Sequence, residues 1–255
     1  MTAWPAGTVA LTLIFFVTAL VTVVTGSTSL ITIPVLLQFG IEPRTAVATN
    51  MLALVLLSFG GVLPFKGKAT IDKPRAPLLI ALTLVGSAAG ALLLFAVPAK
   101  WMALLIPVAM IAVLILLLFE PKTPSVSRPG WGYSIMALLA IYGGFLSGGY
   151  ATLVTAAGML FFGYSFLRAM AMSKVLNTAS SLIAVTVFAW YGIINWRLGI
   201  ILSASAFIGG LSGSHWAQKM PSKLLRQLFL LSVAALALKS MIYDVPWHDL
   251  LATNL

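Results

Sequence analysis

The sequence predicts an all-α polytopic membrane protein with two inverted-topology repeats, each a broken-helix hairpin plus three transmembrane helices, roughly 8 to 10 membrane segments in all. Of the 255 residues, 61% are hydrophobic and only 8% are charged, a balance that no soluble domain could hide from water. Several apolar segments are long enough to cross a bilayer. The second half of the chain also repeats the glycine and proline pattern of the first half, as expected for a duplication.

The duplication is indicated by a shift of 123 positions without a gap, which places Gly26 on Gly149. Further matched pairs are Thr32 and Thr155, Gly40 and Gly163, Ala46 and Ala169, Ser58 and Ser181, Gly86 and Gly209, Gly90 and Gly213, Pro98 and Pro221, and Lys100 and Lys223. Glycines and prolines are not expected to agree by chance in one register over most of each half. We therefore assign residues 1–119 to the first repeat, 120–130 to a cytoplasmic linker and 131–255 to the second repeat.

Full-length spans are predicted wherever about 20 residues are predominantly apolar. They cover residues 9–25, 44–65, 74–97, 101–119, 168–190, 198–218 and 224–243. Residues 30–39 and 152–162 are shorter and are predicted to be half-helices, each paired with the segment before it in a hairpin. A helix interrupted at membrane depth is tolerated only where protein or a water-filled cavity surrounds it. The two hairpins therefore predict a binding site, whether they cross the membrane fully or turn back at its middle.

The loop charges predict how the repeats are oriented. In the first repeat the cations follow the span 44–65, whereas the matching loop of the second repeat has only Arg197 and the next loop carries the cations. These cations are Lys66, Lys68, Lys73 and Arg75 in the first repeat and Lys219, Lys223 and Arg226 in the second. Because positive loops stay in the cytoplasm, equivalent loops face opposite sides and the repeats are inverted. The linker then lies in the cytoplasm and both termini lie outside.

Composition argues against several other functions. The net charge of +10 lies mainly in short loops, where it favours contact with anionic lipid headgroups over nucleic acid binding. The absence of cysteine excludes disulfides and thiolate metal sites, and we predict no metal and no cofactor. The carboxylates lie in predicted loops or tails, so a carboxylate relay inside the membrane is missing. They are Glu42, Asp72, Glu120, Asp244 and Asp249. No signal peptide is expected, because the N-terminus lacks a basic region.

Candidate binding residues lie in the hairpins and in the helices that follow them. Interrupted helices in inverted repeats are typical of secondary transporters, whose site lies near the midplane. Half-helices that begin near Leu30 and Leu153 would direct N–H groups toward an anion. Lys174 is placed about two turns inside its helix, where a buried charge is costly and by default functional. The predicted substrate-binding residues are Ser27, Thr28, Ser29, Thr49, Asn50, Tyr150, Thr152, Ser173, Lys174 and Asn177.

These residues also have a structural interpretation, and other functions compete. Small hydroxyl residues permit close helix packing, and the long stem of Lys174 can carry its amine to the membrane interface. An anion channel is one alternative function. Another is an intramembrane serine hydrolase with Ser147 as nucleophile and His215 as base, which requires the two side chains within hydrogen-bond reach. His215, close to a predicted helix end, is read more simply as an interface residue.

Three motifs carry a family resemblance: the glycine-centred first hairpin, the Gly-x-x-Pro-x-x-Ala-x-Ala-Thr-Asn segment 40–50 with its repeat in 149–173, and the turn 192–196. In order and spacing they resemble the TauE/SafE sulfite exporter family, of the four-toluene-sulfonate uptake permease type. By position, the family's Ala-x-Ala-Thr-Ser/Asn element falls on Thr49 and Asn50, and again on Met172 and Ser173. Met172 replaces its threonine and Lys174 follows, so the substrate is the least determined feature.

The resemblance implies a non-enzymatic carrier, multi-pass in the inner membrane of a bacterial cell. It implies transport of sulfite, organosulfonates or related small oxyanions, and inverted repeats imply alternating access. The expected partners are the small anionic substrate and membrane lipids. The direction of transport, the coupling ion and the oligomeric state stay open, with a homodimer as one alternative.

Overall fold

The structure is a computed structural model that describes residues 4–22, 26, 28–65, 71–98 and 129–217, with single helical positions between 101 and 115 and between 231 and 242. In these ranges the regular secondary structure is helical. The continuous α-helices are α1 Trp4–Thr22, α2 Ser29–Gln38, α3 Pro43–Val62, α4 Ala76–Ala96, α5 Pro129–Phe145, α6 Tyr150–Phe162, α7 Phe166–Trp190 and α8 Trp196–Ala217. A single 3-10 turn, Leu63–Phe65, continues α3.

Four helices are long and apolar enough to cross a bilayer: α3, α4, α7 over Arg168–Trp190 and α8 over Trp196–Trp216. Shorter apolar helices occupy Gly7–Thr22, Ser29–Gln38 and Tyr150–Phe162. The chain is therefore an all-α polytopic membrane protein, which confirms the predicted fold class. The predicted spans 44–65, 74–97, 168–190 and 198–218 agree with these helices to within a few residues.

The start of the second half differs from the prediction. Helix α5 was not among the predicted spans, and it begins at Pro129, inside the segment 120–130 that was assigned to the linker. Proline suits the first turn of a helix because it fixes φ and its missing N–H has no intrahelical role there. The remaining linker residues, 120–128, lie outside the described part of the chain. The predicted spans 101–119 and 224–243 fall where only single helical positions are described.

The helix bounds recur with the same shift of 123 positions that relates the two halves of the sequence. Helices α1, α2, α3 and α4 correspond in order to α5, α6, α7 and α8. The hairpin turns match as well, since Gly26 and Gly149 both have left-handed backbones, with φ of +77° and +75°. This conformation is open to glycine and strained for other residues. The agreement supports the predicted duplication at the level of backbone conformation.

Helices α3 and α7 cross antiparallel in the interior of the bundle. Thr49, near the start of α3, accepts a hydrogen bond of 3.2 Å from the backbone N–H of Asn195, which lies beyond the end of α7. Asn177, in the first half of α7, donates one of 2.6 Å to Ser58 in the second half of α3. The equivalent helices of the two halves therefore run in opposite directions. Around them α1 packs on α8 and α4 packs on α5. These two contacts are equivalent, because the duplication relates α1 to α5 and α4 to α8.

Apolar side chains cover the outside of the bundle. Val85 of α4 is 73% exposed, and Val9 and Leu13 of α1 are 59% exposed, as expected for surfaces that face lipid. Trp131, Trp190 and Trp216 lie near helix ends and are exposed. Indole rings prefer the headgroup region, so these residues fit the role of interface anchors.

Small residues allow the helices of the two halves to approach closely. A Cβ added to Gly90 of α4 would overlap the carbonyl oxygen of Ile141 in α5. Likewise, a Cβ on Gly144 of α5 would overlap the Ser87 carbonyl of α4. In membranes such small residues let van der Waals contacts and interhelical hydrogen bonds form. Here the Ser87 hydroxyl donates a hydrogen bond of 2.9 Å to the Ala140 carbonyl and lies 2.7 Å from the Ser180 hydroxyl.

We expect Gly90→Ala and Gly144→Ala to destabilise the protein, because each methyl group would force apart two packed backbones. Overpacking of this kind costs about 1–3 kcal/mol. The measurement is the thermal midpoint of the purified protein in detergent. Gly130→Ala is the matched control, since a Cβ there meets nothing within 4 Å. Equal midpoints for all three variants would contradict the close approach of α4 and α5.

Candidate functional site

The tips of the two hairpins meet inside the bundle. A Cβ built on Gly26 would lie 2.8 Å from the Cβ of Ala151 and 3.1 Å from the backbone nitrogen of Thr152. On the other side, a Cβ on Gly148 would lie 2.6 Å from the Leu30 side chain. Glycine at both turns thus permits the first turns of α2 and α6 to converge.

The two converging helix starts have no side-chain cap. Thr28 and Gly149, the residues at the N-cap positions of α2 and α6, make no capping hydrogen bond through a side chain. The first N–H groups of a helix have no intrahelical partner and carry the positive end of its dipole. Two such ends at one place favour an anion, as the sequence predicts for half-helices that begin near these positions.

A buried network links the first hairpin to α3. Thr32 donates a hydrogen bond of 2.6 Å to the Oδ1 atom of Asn50, and the Asn50 Nδ2 atom donates one of 2.9 Å to Ser29. One turn away, the hydroxyls of Thr22 and Thr28 are 2.6 Å apart. The structure therefore brings together Ser29 and Asn50 from the predicted set and adds Thr32 to them. In this state their polar atoms bind one another.

A second polar cluster lies where α7 meets α3. Asn177 binds Ser58 of α3, and Lys174 lies one turn earlier on the same side of α7. One turn beyond Ser58, the carbonyl of Gly61 accepts a hydrogen bond of 2.9 Å from Ser214 of α8. Since α3 and α7 are antiparallel, Lys174 lies at about the depth of Gly61 and Ser214. We call Lys174, Asn177 and Ser58 the Lys174 cluster.

Lys174 is buried inside the protein, with only 1% of its surface exposed. In the described part of the chain its ammonium takes part in no hydrogen bond or ion pair. The carboxylates described, Glu42 and Asp72, cap the starts of α3 and α4. The side chain therefore does not extend to the membrane interface, the alternative that its long stem allowed. A buried charge without a partner is costly, so a ligand anion is its natural counter-ion.

The Lys174 cluster has an apolar counterpart in the first repeat. The shift of 123 positions relates Lys174, Asn177 and Ser214 to Met51, Leu54 and Ala91. The three counterparts are fully or almost fully buried and belong to one apolar cluster. Ser58 corresponds to Ser181, which is also fully buried. The two matched regions therefore differ in the ammonium, the amide and one hydroxyl group, which only the second repeat contains. A duplication alone would give two equal sites, whereas the side chains favour one.

Other predicted residues lie in different surroundings. The Thr49 hydroxyl accepts a hydrogen bond from the turn before α8, as described above. The Ser173 hydroxyl donates a hydrogen bond of 2.8 Å to the Met170 carbonyl of its own helix. Tyr150 is fully buried, with its hydroxyl close to Thr83 of α4, while Thr152 is half-buried at the second hairpin tip. Ser27 lies outside the described residues. The hydroxyls of Thr49 and Ser173 thus bind backbone groups outside the two hairpins.

The geometry gives no support to the hydrolase alternative. Ser147 is buried in the turn between α5 and α6, with a left-handed φ of 59°. His215 is exposed near the end of α8, where its Nδ1 atom lies 3.1 Å from the Leu211 carbonyl. Among the described residues no hydrogen bond joins the two side chains. The exposure of His215 agrees with its interpretation as an interface residue.

Sequence analysis missed an ion cluster at the end of the bundle where α4 and α7 begin. The Asp72 carboxylate, only 5% exposed as a residue, accepts a hydrogen bond of 2.8 Å from the Tyr164 hydroxyl. Arg75 lies 3.3 Å and Arg168 lies 4.0 Å from the same oxygen. We call these four residues the Asp72 cluster. The one signal in the sequence was a single acid inside a strongly basic loop.

The surroundings of Asp72 stabilise its ionised form. Burial alone would raise its pKa, but the hydrogen bonds from Tyr164 and from the Arg75 backbone, with the charges of Arg168 and Arg75, bring it below the ordinary 3.8. Burial and the hydrogen bond to Asp72 raise the pKa of Tyr164 to about 12. The cluster is therefore ionised and intact at neutral pH.

Comparison with known proteins identifies the family. The family described as "Sulfite exporter TauE/SafE" matches residues 11–240. The chain belongs to the TauE/SafE family. This membership confirms the resemblance seen in the hairpin and Ala-x-Ala-Thr-Asn motifs.

Curated relatives match over nearly their whole length. A "Probable membrane transporter protein" of Haemophilus influenzae is 26% identical over 238 residues, 91% of this chain and 93% of the relative. "Probable membrane transporter protein YfcA" of Escherichia coli K12 is 28% identical, covering 89% of this chain and 87% of the relative. "Probable membrane transporter protein ORF9" of Sinorhizobium sp. is 25% identical over 92% of each chain. No solved structure matches the chain.

The Asp72 cluster predicts a pH dependence of stability. A carboxylate whose pKa is lowered on folding contributes stability that is complete above its ordinary value of 3.8 and is lost as the pH falls through the lower, folded value. We therefore expect the thermal midpoint to fall more steeply below about pH 4 in the wild type than in Asp72→Asn. The measurement is a thermal melt of both proteins between neutral pH and about pH 3. Parallel curves would show that Asp72 contributes nothing to acid sensitivity.

Proposed function

We propose that this TauE/SafE protein is a secondary transporter that moves small sulfur-containing anions, such as sulfite or organosulfonates, by alternating access. The family and the names of its relatives indicate a membrane transporter. The observation that carries the finer proposal is the buried ammonium of Lys174, which has no counter-ion among the described residues. Such a group fits a protein whose counter-ion is its substrate.

The chemistry of the interior favours an oxyanion. Two uncapped helix starts converge at the hairpin tips, and the buried Ser29, Thr32 and Asn50 provide hydroxyl and amide groups beside them. Hydrogen bonds from neutral donors to a charged oxygen are stronger than those between neutral groups. Lys174 adds a full positive charge. The restriction to sulfur-containing anions comes from the family description alone.

Alternating access requires two halves that can move against each other around a central site. The antiparallel crossing of α3 and α7 supports the proposed inversion of the repeats, because equivalent helices of inverted repeats run in opposite directions. Contacts between the repeats, such as α1 on α8 and α4 on α5, provide the surfaces along which the halves would move. We place the transporter in the inner membrane of a bacterial cell, with the basic loop before α4 in the cytoplasm.

Thermal stability in the presence of anions tests the substrate class. A ligand that binds the folded state at about 100 times its Kd stabilises it by about 2.7 kcal/mol, which raises the midpoint by several degrees. We expect this for sulfite or a sulfonate, with thiosulfate, sulfate, sulfoacetate, taurine and matched carboxylates as comparisons. Lys174→Met should abolish the shift, because it removes the proposed counter-charge of the anion. Methionine is chosen because it occupies the duplicated position 51 and fits an apolar core there.

Arg197→Met is the matched control, since it removes the same charge from an exposed position at the start of α8. It should leave the anion-induced shift unchanged. If no anion shifts the wild-type midpoint, the proposed substrate class is wrong. If Lys174→Met retains the full shift, the ammonium is not the counter-ion.

Flux measurements in proteoliposomes test the mechanism. For an anion that shifts the midpoint, we expect saturable uptake that is accelerated by the same anion inside the vesicle, because a carrier returns faster when loaded. Non-saturable flux without counterflow would contradict alternating access and favour an anion channel.

A further inference from the structure

We propose that the Asp72 cluster is a latch that holds the transporter closed at the end where α4 and α7 begin and opens once in every transport cycle. The proposal rests on the alternating-access function proposed above. It assigns to Asp72, Arg75, Tyr164 and Arg168 the control of access from the side that the loop charges place in the cytoplasm.

The latch joins the two repeats through one carboxylate. Asp72 and Arg75 precede α4 of the first repeat, whereas Tyr164 lies in the turn between α6 and α7 and Arg168 in the first turn of α7. An aromatic contact extends the link, since the Arg75 guanidinium lies 5.6 Å from the ring centre of Phe162. Moving the start of α4 away from this turn must break the contacts of Asp72 with Tyr164 and Arg168 and that of Arg75 with Phe162.

Partly exposed ionic contacts suit a joint that must open. The side chains of Arg75 and Arg168 are 35% and 39% exposed, whereas that of Asp72 is 7% exposed. Ion pairs that water reaches add little net stability, and opening the joint lets water hydrate Asp72 in place of its partners. The cluster therefore fixes which surfaces meet without fixing the closed state permanently.

At the opposite end of the bundle the position equivalent to Asp72 is uncharged, and Arg44 donates there to the Val97 carbonyl within the first repeat. The shift of 123 positions relates Asp72 to Asn195. The Asn195 side chain accepts a hydrogen bond of 3.1 Å from the Leu198 N–H, and its backbone N–H donates one of 3.2 Å to the Thr49 hydroxyl. Each residue caps the helix after it, but only Asp72 binds cations. The two ends of the transporter are thus closed by different interactions, and neutralising Asp72 should act on one end alone.

The latch lies between the Lys174 cluster and the end of the bundle. Lys174 follows Arg168 by less than two helical turns, about 9 Å along α7. Opening the contact between Asp72 and Arg168 would therefore give water and ions the shortest route along α7 to the buried ammonium.

The test is the accessibility of single cysteines in a protein that has none of its own. Ser214→Cys reports on the interior at the depth of the Lys174 cluster, and Ala91→Cys, its duplicated position, reports on the apolar half; both positions are fully buried. A membrane-impermeant maleimide is applied to vesicles of either orientation, without any added anion. We expect Asp72→Asn or Tyr164→Phe to speed labelling at position 214 when the reagent is added on the side of the basic loops. The expected factor is about tenfold, because each substitution weakens a hydrogen bond to a charged group. Labelling at position 91 should not rise.

Glu42→Gln is the matched control, because Glu42 also caps a helix but makes no ion pair among the described residues. It should leave both labelling rates unchanged. The latch is overturned if Asp72→Asn and Tyr164→Phe, each eluting as a folded monodisperse protein, label like the wild type. It is also overturned if positions 214 and 91 gain reactivity equally, which would indicate general loosening. Since no anion is present, failure of the anion-binding test and failure of the latch are separate results.

Discussion

Every backbone polar group inside a bilayer must find a partner within the protein, and this requirement governs the arrangement of the whole bundle. The hairpin turns at Gly26 and Gly149 interrupt helices at positions that lipid could not tolerate. The protein resolves this by placing each interruption against the other, with Gly26 on the first turn of α6 and Gly148 on Leu30. The long helices α3 and α7 then cross beside the two turns. Part of the buried polar chemistry, the network of Ser29, Thr32 and Asn50, lies in this protected region.

Electrostatics then separates the interior into two unlike halves. Met51, Leu54 and Ala91 form part of a continuous apolar cluster, while the positions related to them by duplication hold Lys174, Asn177 and Ser214. The burial of a single ammonium without a carboxylate is unfavourable for an empty protein. Under the proposed function an anion neutralises this charge, and the cost of burying the ammonium then favours anionic over neutral ligands. This argument depends on burial and charge and would hold for any small anion.

Local patterns in the sequence predict most of the fold but only part of the site. Long apolar segments define α3, α4, α7 and α8 because the bilayer demands length and hydrophobicity alone. Helix α5 was missed because proline and glycine at its start resemble a linker, although the duplication with α1 required it. The link between Asn50 and the hairpin residue Ser29 follows from neighbouring segments of one repeat. The contact between Asp72 and Tyr164 joins residues 92 positions apart in different repeats, and no local pattern encodes it.

The differences between the repeats say more about mechanism than their similarities. A perfectly symmetric pair of inverted repeats would have equal energies when open to either side, and nothing would decide which state the empty carrier adopts. In this chain the Asp72 carboxylate joins the two repeats at the end where α4 and α7 begin. At the opposite end the bond between the repeats is a neutral one, from the Asn195 backbone N–H to Thr49, while Arg44 donates to the Val97 carbonyl within the first repeat. Ionic closure weakens as water enters, whereas neutral contacts respond less to hydration. Under the proposed function, the position of the Lys174 cluster toward the ionic end assigns anion entry to that side, and the latch sets which side is closed before an anion binds.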